Sequence, residues 1–291
     1  MQTLVTFIFK FLAALPLAWL HKLGNLLGSL GFRLLSKDRR RVFENMTLAG
    51  LNPTDEAVKK VFRETAKGGL ELPVAFFRRP EEIENLFVSV NGWEHVQTAL
   101  SAGEGLLFIT PHIGSYDLAG RYISQQLPFP LTAMYKPPKI KAFDAVMQAG
   151  RVRGKGRTAP TSIQGVKQVI KALRAGEATI VLPDHVPAPE EGGDGVWADF
   201  FGRPAYTMTL AGKLAQVKGV KALFFCGERL PDGKGFVLHI EPLRGELNGD
   251  KENDARVINE NTEYWIRRFP EQYLFMYNRY KHPEGAPLPP A

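Results

Sequence analysis

The sequence predicts an α/β fold: a mostly parallel central sheet flanked by helices, preceded by an N-terminal membrane-anchoring helical segment. Three observations lead there. Segments with helical periodicity alternate with short, continuous apolar runs bounded by glycine and proline, the pattern of strands buried on both faces. The first 35 residues are apolar and end against a basic cluster. A chain of 291 residues with 44% hydrophobic content is long enough to bury one sizeable core.

From Met1 to Leu35 the sequence is largely apolar, interrupted by Lys10, His21, Lys22 and Arg33, and Lys37-Asp38-Arg39-Arg40-Arg41 follows. A cleaved signal peptide carries its charge before the apolar core, whereas Lys10 sits inside the run, so the segment is expected to be retained. Leu4 to Leu20 approaches the ~20 residues of a spanning helix but contains Lys10 and Pro16. A short span, a helix in the membrane interface and an ordinary buried helix all fit it. Arg39, Arg40 and Arg41 either contact anionic headgroups or are solvated. At the inner leaflet, they would leave the rest of the chain in the cytoplasm.

A helix follows from about Thr54 to Phe77, opened by Asn52-Pro53-Thr54-Asp55-Glu56 and closed by Arg78-Arg79-Pro80. Next come a helix over Trp93 to Ser101 and the buried run Gly105 to Thr110. The same order recurs twice: helix Ser162 to Ala175 before strand Ala178 to Leu182, and helix Thr207 to Lys218 before strand Val220 to Cys226. Gly227 to Gly235 is expected to turn into strand Phe236 to Ile240, and a last helix runs from about Asp254 to Phe269. The proline-rich stretch from Pro283 onward is expected to be disordered.

The formal net charge of +7 calls for an anionic partner: nucleic acid, an acidic membrane or a phosphorylated substrate. One cysteine, Cys226, within an apolar run, excludes an internal disulfide and a thiolate metal cluster.

Three loops at strand ends carry the chemistry, since functional side chains in such sheets gather at the carboxyl edge. The first, Thr110 to Asp117, places His112 and Asp117 five residues apart. With the histidine in the loop and the aspartate in the first helical turn, the carboxylate can fix the imidazole tautomer. The other ring nitrogen is then free to remove a hydroxyl proton. A structural histidine beside a helix start is the plainer alternative. Gly114 would let a substrate approach the backbone.

The second loop runs from Tyr135 and Lys136 through Lys139 to Arg151, Arg153, Lys155 and Arg157. It either clamps phosphate, with arginine bidentate, or is a basic loop without a ligand. It lacks the interleaved aromatics that nucleic acid binding prefers, so no nucleic acid partner is expected. The third loop, Pro183 to Pro187, follows another strand and should lie beside the first; Asp184 would orient the basic loop or contact the acceptor. His185 and His112 lack a metal-site spacing such as H-E-x-x-H, and no metal is expected. Trp197, Phe200 and Phe201 line either a groove or the core.

His112 and Asp117 fit the H-x-x-x-x-D motif of the glycerolipid acyltransferase superfamily, and further blocks narrow the likeness. Arg40 to Met46 resembles an R-x-x-x-x-N-L stretch, with Met46 for leucine. Met134-Tyr135-Lys136-Pro137 resembles a Y-R-P block, with Lys136 for arginine. Asp184-His185 stands where Asp-Gln is usual; Phe200-Phe201-Gly202 with Ala205, and Pro270-Glu271-Gln272-Tyr273, match F-F-G-x-x-A and P-E-Q-Y. Phe275 to Lys281 departs from W-x-H-R-R-F-K. The chain thus resembles the lipid A late acyltransferases, the lauroyl and myristoyl transferases of Gram-negative bacteria.

That resemblance implies a glycerol-3-phosphate-acyltransferase-like fold with residues 1–35 as anchor, 36–282 as acyltransferase domain and 283–291 as tail. It implies an acyl carrier protein thioester as donor, a Kdo-bearing lipid A precursor as acceptor, no cofactor, and a place at the cytoplasmic face of the inner membrane. The residues expected to form the site are His112 and Asp117 for catalysis, with Gly114, Tyr135, Lys136, Arg151, Arg153 and Asp184 for substrate binding. Without a Gly-x-Ser-x-Gly elbow, direct attack by the acceptor is favoured over an acyl-enzyme, with backbone amides near Gly114 as oxyanion donors. A glycerol phosphate or another glycolipid as acceptor, or a non-catalytic membrane-surface protein, are the alternatives; the last leaves His112 and Asp117 unexplained.

Overall fold

The computed structural model describes residues 2–136 and 141–290. Helices α1 (Gln2–Ala14) and α2 (Leu17–Leu34) meet at Pro16 with a bend of 116°. Pro16 supplies no amide to continue α1 and, with its fixed φ, starts α2 instead. Among the described residues no single helix is long and apolar enough to cross a membrane. Leu17, Leu20, His21, Gly24 and Gly28 of α2 are buried, while Trp19, Leu26, Leu30 and Leu34 are exposed.

Then come α3 (Ser36–Leu48) and α4 (Asp55–Phe77). Thr54 caps α4 by accepting from the Ala57 amide at 3.2 Å, and Asp55 and Glu56 favour the positive end of its dipole. A Cβ on Gly28 would lie 2.4 Å from Arg63 Cα, so glycine is what lets α2 and α4 touch. The remaining elements in order are α5 (Pro80–Glu84), β1 (Phe87–Asn91), α6 (Trp93–Ser101), β2 (Gly105–Ile109), α7 (Tyr116–Gln126), β3 (Leu131–Tyr135), α8 (Lys141–Arg151), β4 (Gly156–Pro160), α9 (Ile163–Arg174), β5 (Ala178–Val181), β6 (Gly195–Phe200), β7 (Arg203–Met208), α10 (Leu210–Ala215), β8 (Val220–Arg229), β9 (Phe236–Pro242) and α11 (Lys251–Arg268).

Seven strands form one sheet in the order β1-β9-β8-β2-β5-β3-β4. Among the described residues only the β8–β9 pair of this sheet is antiparallel; β6 and β7 make a separate antiparallel hairpin. The α/β, mainly parallel reading therefore holds. All of β2 is buried, which explains why it reads as an unbroken apolar run rather than an alternating one.

Several local expectations change. Thr207 to Lys218 is not one helix: β7 takes it as far as Met208, and α10 is a short helix after it. The β-branched Thr207 pairs with Val196 across the hairpin, and tertiary pairing outweighs the helical spacing. Strand β8 continues through Arg229, three residues past Cys226, because β9 pairs with it along that length. The basic stretch is not a loop but α8 and edge strand β4; Pro137, Pro138 and Lys139 lie outside the described residues. Residues 283–290 form no helix or strand, and Trp197 Nε1 donates to the Pro287 carbonyl at 2.8 Å.

Candidate active site

Strands β2 and β5 are parallel neighbours in register, Ile109 opposite Val181, so the loops that follow them emerge side by side. His112 comes from the first and Asp184 from the second. Asp184 Oδ1 lies 2.8 Å from His112 Nδ1, and its Oδ2 accepts from the His112 amide at 2.9 Å. A single carboxylate thus fixes both ring and backbone. Burial works against a charge on Asp184, but His112 outweighs it and the carboxyl is held down at about 2. Burial likewise disfavours the His112 imidazolium, yet Asp184, then Asp117, overcome it and raise the imidazole above its ordinary value.

Asp117 was the expected tautomer-fixing partner, and the structure gives that contact to Asp184 instead. In the first turn of α7, Asp117 faces the end of α8, where Arg151 Nη2 is 3.6 Å from its Oδ1. Burial raises its carboxyl, with Arg151 and His112 opposing. Asp117 is thus a charge in the field of the imidazole, without the hydrogen bond to Nδ1. The spacing within one loop was legible; the geometry across two strands was not.

His112 is one wall of a cavity of about 1220 Å³ also lined by Tyr116, Asp117, Tyr135, Lys136, Arg151 and His185. His185 stacks on His112, centroids 4.0 Å apart and planes at 12°, and Tyr277 stacks on its other face at 4.3 Å. Burial and then the neighbouring His112 charge push His185 down to about 4, so it is neutral near pH 7. Neither His185 nor Tyr277 was singled out from sequence for this role. The only signal was His185 standing where glutamine is usual.

The remaining predicted residues separate. Arg151 lies over the Tyr135 ring at 5.5 Å, and Tyr135 Oη donates to Asp144 at 2.7 Å. Lys136 sits at the rim, paired with Glu191. Arg153 is turned away, donating from Nη1 to the carbonyls of Phe76 at 2.5 Å and Arg78 at 3.2 Å. Its basic neighbours do not draw it to the cavity, because the last turn of α4 and the capping residue after it offer carbonyls that otherwise lack donors. Gly114 also serves packing: its φ is +59°, and a Cβ there would lie 2.1 Å from the Gly227 carbonyl oxygen.

The loop amides expected to hold an oxyanion are already used. His112 donates to Asp184, Ile113 to Pro111, Gly114 to Gln272 and Ser115 to Gly227. The Gly114 carbonyl accepts from Arg229 Nη2 at 3.1 Å. Arg229 is itself held by Glu71 through two bonds of 2.6 and 2.7 Å and by Glu64 at 2.8 Å, while His21 of α2 meets Glu71 at 2.7 Å. This buried ion cluster, 158 residues apart in sequence at its centre, pins the back of the histidine loop, and no local motif announces it. Burial opposes the charge on Glu71, but Arg229 holds it at about 2.

Among the described residues no group of three or more His, Cys, Asp or Glu is placed to hold a metal ion. Cys226 is fully buried in the core, where burial pushes its thiol far up, and no hydroxyl or thiol is hydrogen-bonded to His112 among the described residues.

Compared with known proteins, residues 1–282 match the model of the bacterial lipid A biosynthesis acyltransferases. The chain belongs to that family. It is 28% identical to the lipid A biosynthesis lauroyltransferase of Escherichia coli (strain K12) over 280 residues, 94% of this chain and 89% of the relative. It is 28% identical to the myristoyltransferase of the same organism over 266 residues (88% and 78%), and 26% to its palmitoleoyltransferase over 273 (92% and 86%). Within this lipid A acyltransferase family member, the cavity beside His112 is the candidate active site.

Proposed function

We propose that the protein transfers a fatty acyl chain of lauroyl or myristoyl type from an acyl carrier protein thioester to a hydroxyl of a Kdo-bearing lipid A precursor. The observation that carries this is His112, fixed at Nδ1 by Asp184 and forming one wall of a cavity of about 1220 Å³. That volume exceeds the ~300–1,000 Å³ of a drug-sized ligand pocket and leaves room for chain and acceptor together.

With Nδ1–H donating to Asp184, Nε2 accepts the proton of the acceptor hydroxyl as its oxygen attacks the thioester carbonyl. Asp184 and Asp117 stabilise the imidazolium formed. Arg151, coupled to both His112 and Asp117, balances the oxyanion, since the loop amides are engaged elsewhere. Collapse breaks the carbon–sulfur bond, and the thiolate takes the proton back from His112. No acyl-enzyme and no cofactor enter the scheme.

The acceptor is a membrane lipid, so the cavity must reach a bilayer. Helix α1 packs against α4 and α8, whose residues line the cavity, and exposes Leu4, Phe7 and Phe11; α2 adds Trp19, Leu26, Leu30 and Leu34. Apolar side chains standing in water at this density belong in the interface. In this reading residues 1–35 lie along the cytoplasmic face of the inner membrane as anchor, 36–282 form the transferase domain, and 283–291 form a tail. Mass spectrometry of lipid A from cells with and without the protein tests the function: one acyl chain should disappear with the protein. Unchanged lipid A would overturn it.

A further inference from the structure

Helix α9 buries Val169, Ala172 and Leu173 against β2 to β5. Its outward residues Ile163, Lys167, Lys171 and Arg174 recur at steps of four, four and three, and so share one face. All four are exposed, Ile163 by 78%. The helix contains no carboxylate. Lys167, Lys171 and Arg174 make no ion pair among the described residues, whereas the neighbouring Arg157 is matched by Glu177 and Lys136 by Glu191. The charge on α9 is therefore uncompensated, while these two flanking cations are paired. The face also leads to the site: Arg157, Thr161, Ser162, Ile163 and Gln164, all exposed, line the cavity that holds His112. The eleven steps from Ile163 to Arg174, at ~1.5 Å each, give this face a length of about 16 Å, running away from that rim.

We infer that this face docks an acidic protein carrying the acyl chain as a thioester, with Ile163 at the edge where the chain enters. The inference rests on the acyl-transfer reading above and adds where the donor binds. A lipid surface is the less fitting occupant. Helices that lie on membranes present apolar side chains beside their cations, as α1 and α2 do, whereas α9 turns its apolar side chains to the sheet, Ile163 apart. Complementary charge at such a rim chiefly raises the encounter rate and fixes orientation.

The experiment compares the full chain with the triple variant Lys167→Glu, Lys171→Glu, Arg174→Glu and with the milder Lys167→Gln, Lys171→Gln. The second set matters because reversed charge in the last turn also weakens the helix itself. Measured are binding of lauroyl-loaded acyl carrier protein by fluorescence anisotropy, transfer from that donor and from the uncharged lauroyl N-acetylcysteamine thioester, and binding to phosphatidylcholine–phosphatidylglycerol vesicles. The triple variant should bind the carrier, and show a KM for it, weaker by about tenfold or more at low salt, converging with wild type as salt rises. The glutamine variant should fall between. Transfer from the uncharged thioester and vesicle binding should not change. Unaltered carrier binding, an equal loss with both donors, or a loss confined to vesicles would overturn the inference. If the wild-type chain transferred from neither donor, the acyl-transfer reading would fail while the anisotropy still judged the docking face.

Discussion

Replacing Asp184 with asparagine should disable the base while leaving its scaffold standing. Asp184 accepts twice, from the His112 amide at 2.9 Å and from Nδ1 at 2.8 Å. Asparagine offers one carbonyl oxygen and one amino group in the same plane. If its oxygen keeps the backbone amide, its amino group points at Nδ1, which must become the acceptor; the ring proton then sits on Nε2, the nitrogen that should receive the hydroxyl proton. The alternative orientation sets two donors against each other at the backbone. Either way kcat should fall by roughly 10²–10⁴ fold, the worth of a general base, or about 3–5 kcal/mol of barrier. The pH profile carries a second signature. The base form exists above the His112 pKa, which Asp184 helps to raise, so wild-type kcat/KM should decline as pH falls through a value above the ordinary ~6.5. Removing the charge leaves burial unopposed by its main partner, and the acid limb should move to lower pH. In wild type the depressed Asp184 carboxyl adds stability present above about pH 4 and lost as pH falls toward 2; the variant should lack that window. Assays of initial rate against pH, with thermal unfolding in parallel, measure all three. An Asp184→Asn protein with wild-type kcat and an unmoved acid limb would refute the assignment.

Arg151 and Arg153, two residues apart, should behave oppositely. Arg151→Ala should lower kcat with little change in melting temperature. Arg153→Ala, losing charged hydrogen bonds to the carbonyls of Phe76 and Arg78 at the end of α4, should cost roughly 1.5–3 kcal/mol of stability with kcat kept, as rate assays and calorimetry would read. Gly114→Ala should destabilise by about 1–3 kcal/mol from the backbone conformation alone, with the clash against Gly227 added, visible in chemical denaturation. Histidine-resolved NMR titration should place His185 near pH 4 and His112 above its ordinary value; a neutral-range titration of His185 would contradict the stacked pair.

The parallel core was legible because burial on both faces writes itself as uninterrupted apolar runs such as Gly105 to Ile109 and Ala178 to Val181. Edge strand β4 was not: its Gly156-Arg157-Thr158-Ala159-Pro160 has the charge, glycine and proline of a loop, which is what an edge needs to resist further pairing. In the site, His112 was legible from its place after a strand, and Asp184 from the same rule applied to the next loop. Their pairing was not, because register between β2 and β5 is set by the whole sheet. The histidine and aspartate within one loop drew attention to the nearer carboxylate, while the farther one makes the bond. Arg229 and Glu71 were hidden for a related reason: they stand 158 residues apart, and nothing beside either one points to the other until β8 and α4 pack together.

Single-turnover transfer by His112→Ala tests the central claim most directly, using lauroyl-loaded acyl carrier protein and a Kdo-bearing lipid A precursor. The variant should bind both substrates as wild type does and transfer the chain at least ~10² fold more slowly. Transfer at the wild-type rate would contradict the account, since no other side chain described here takes the proton.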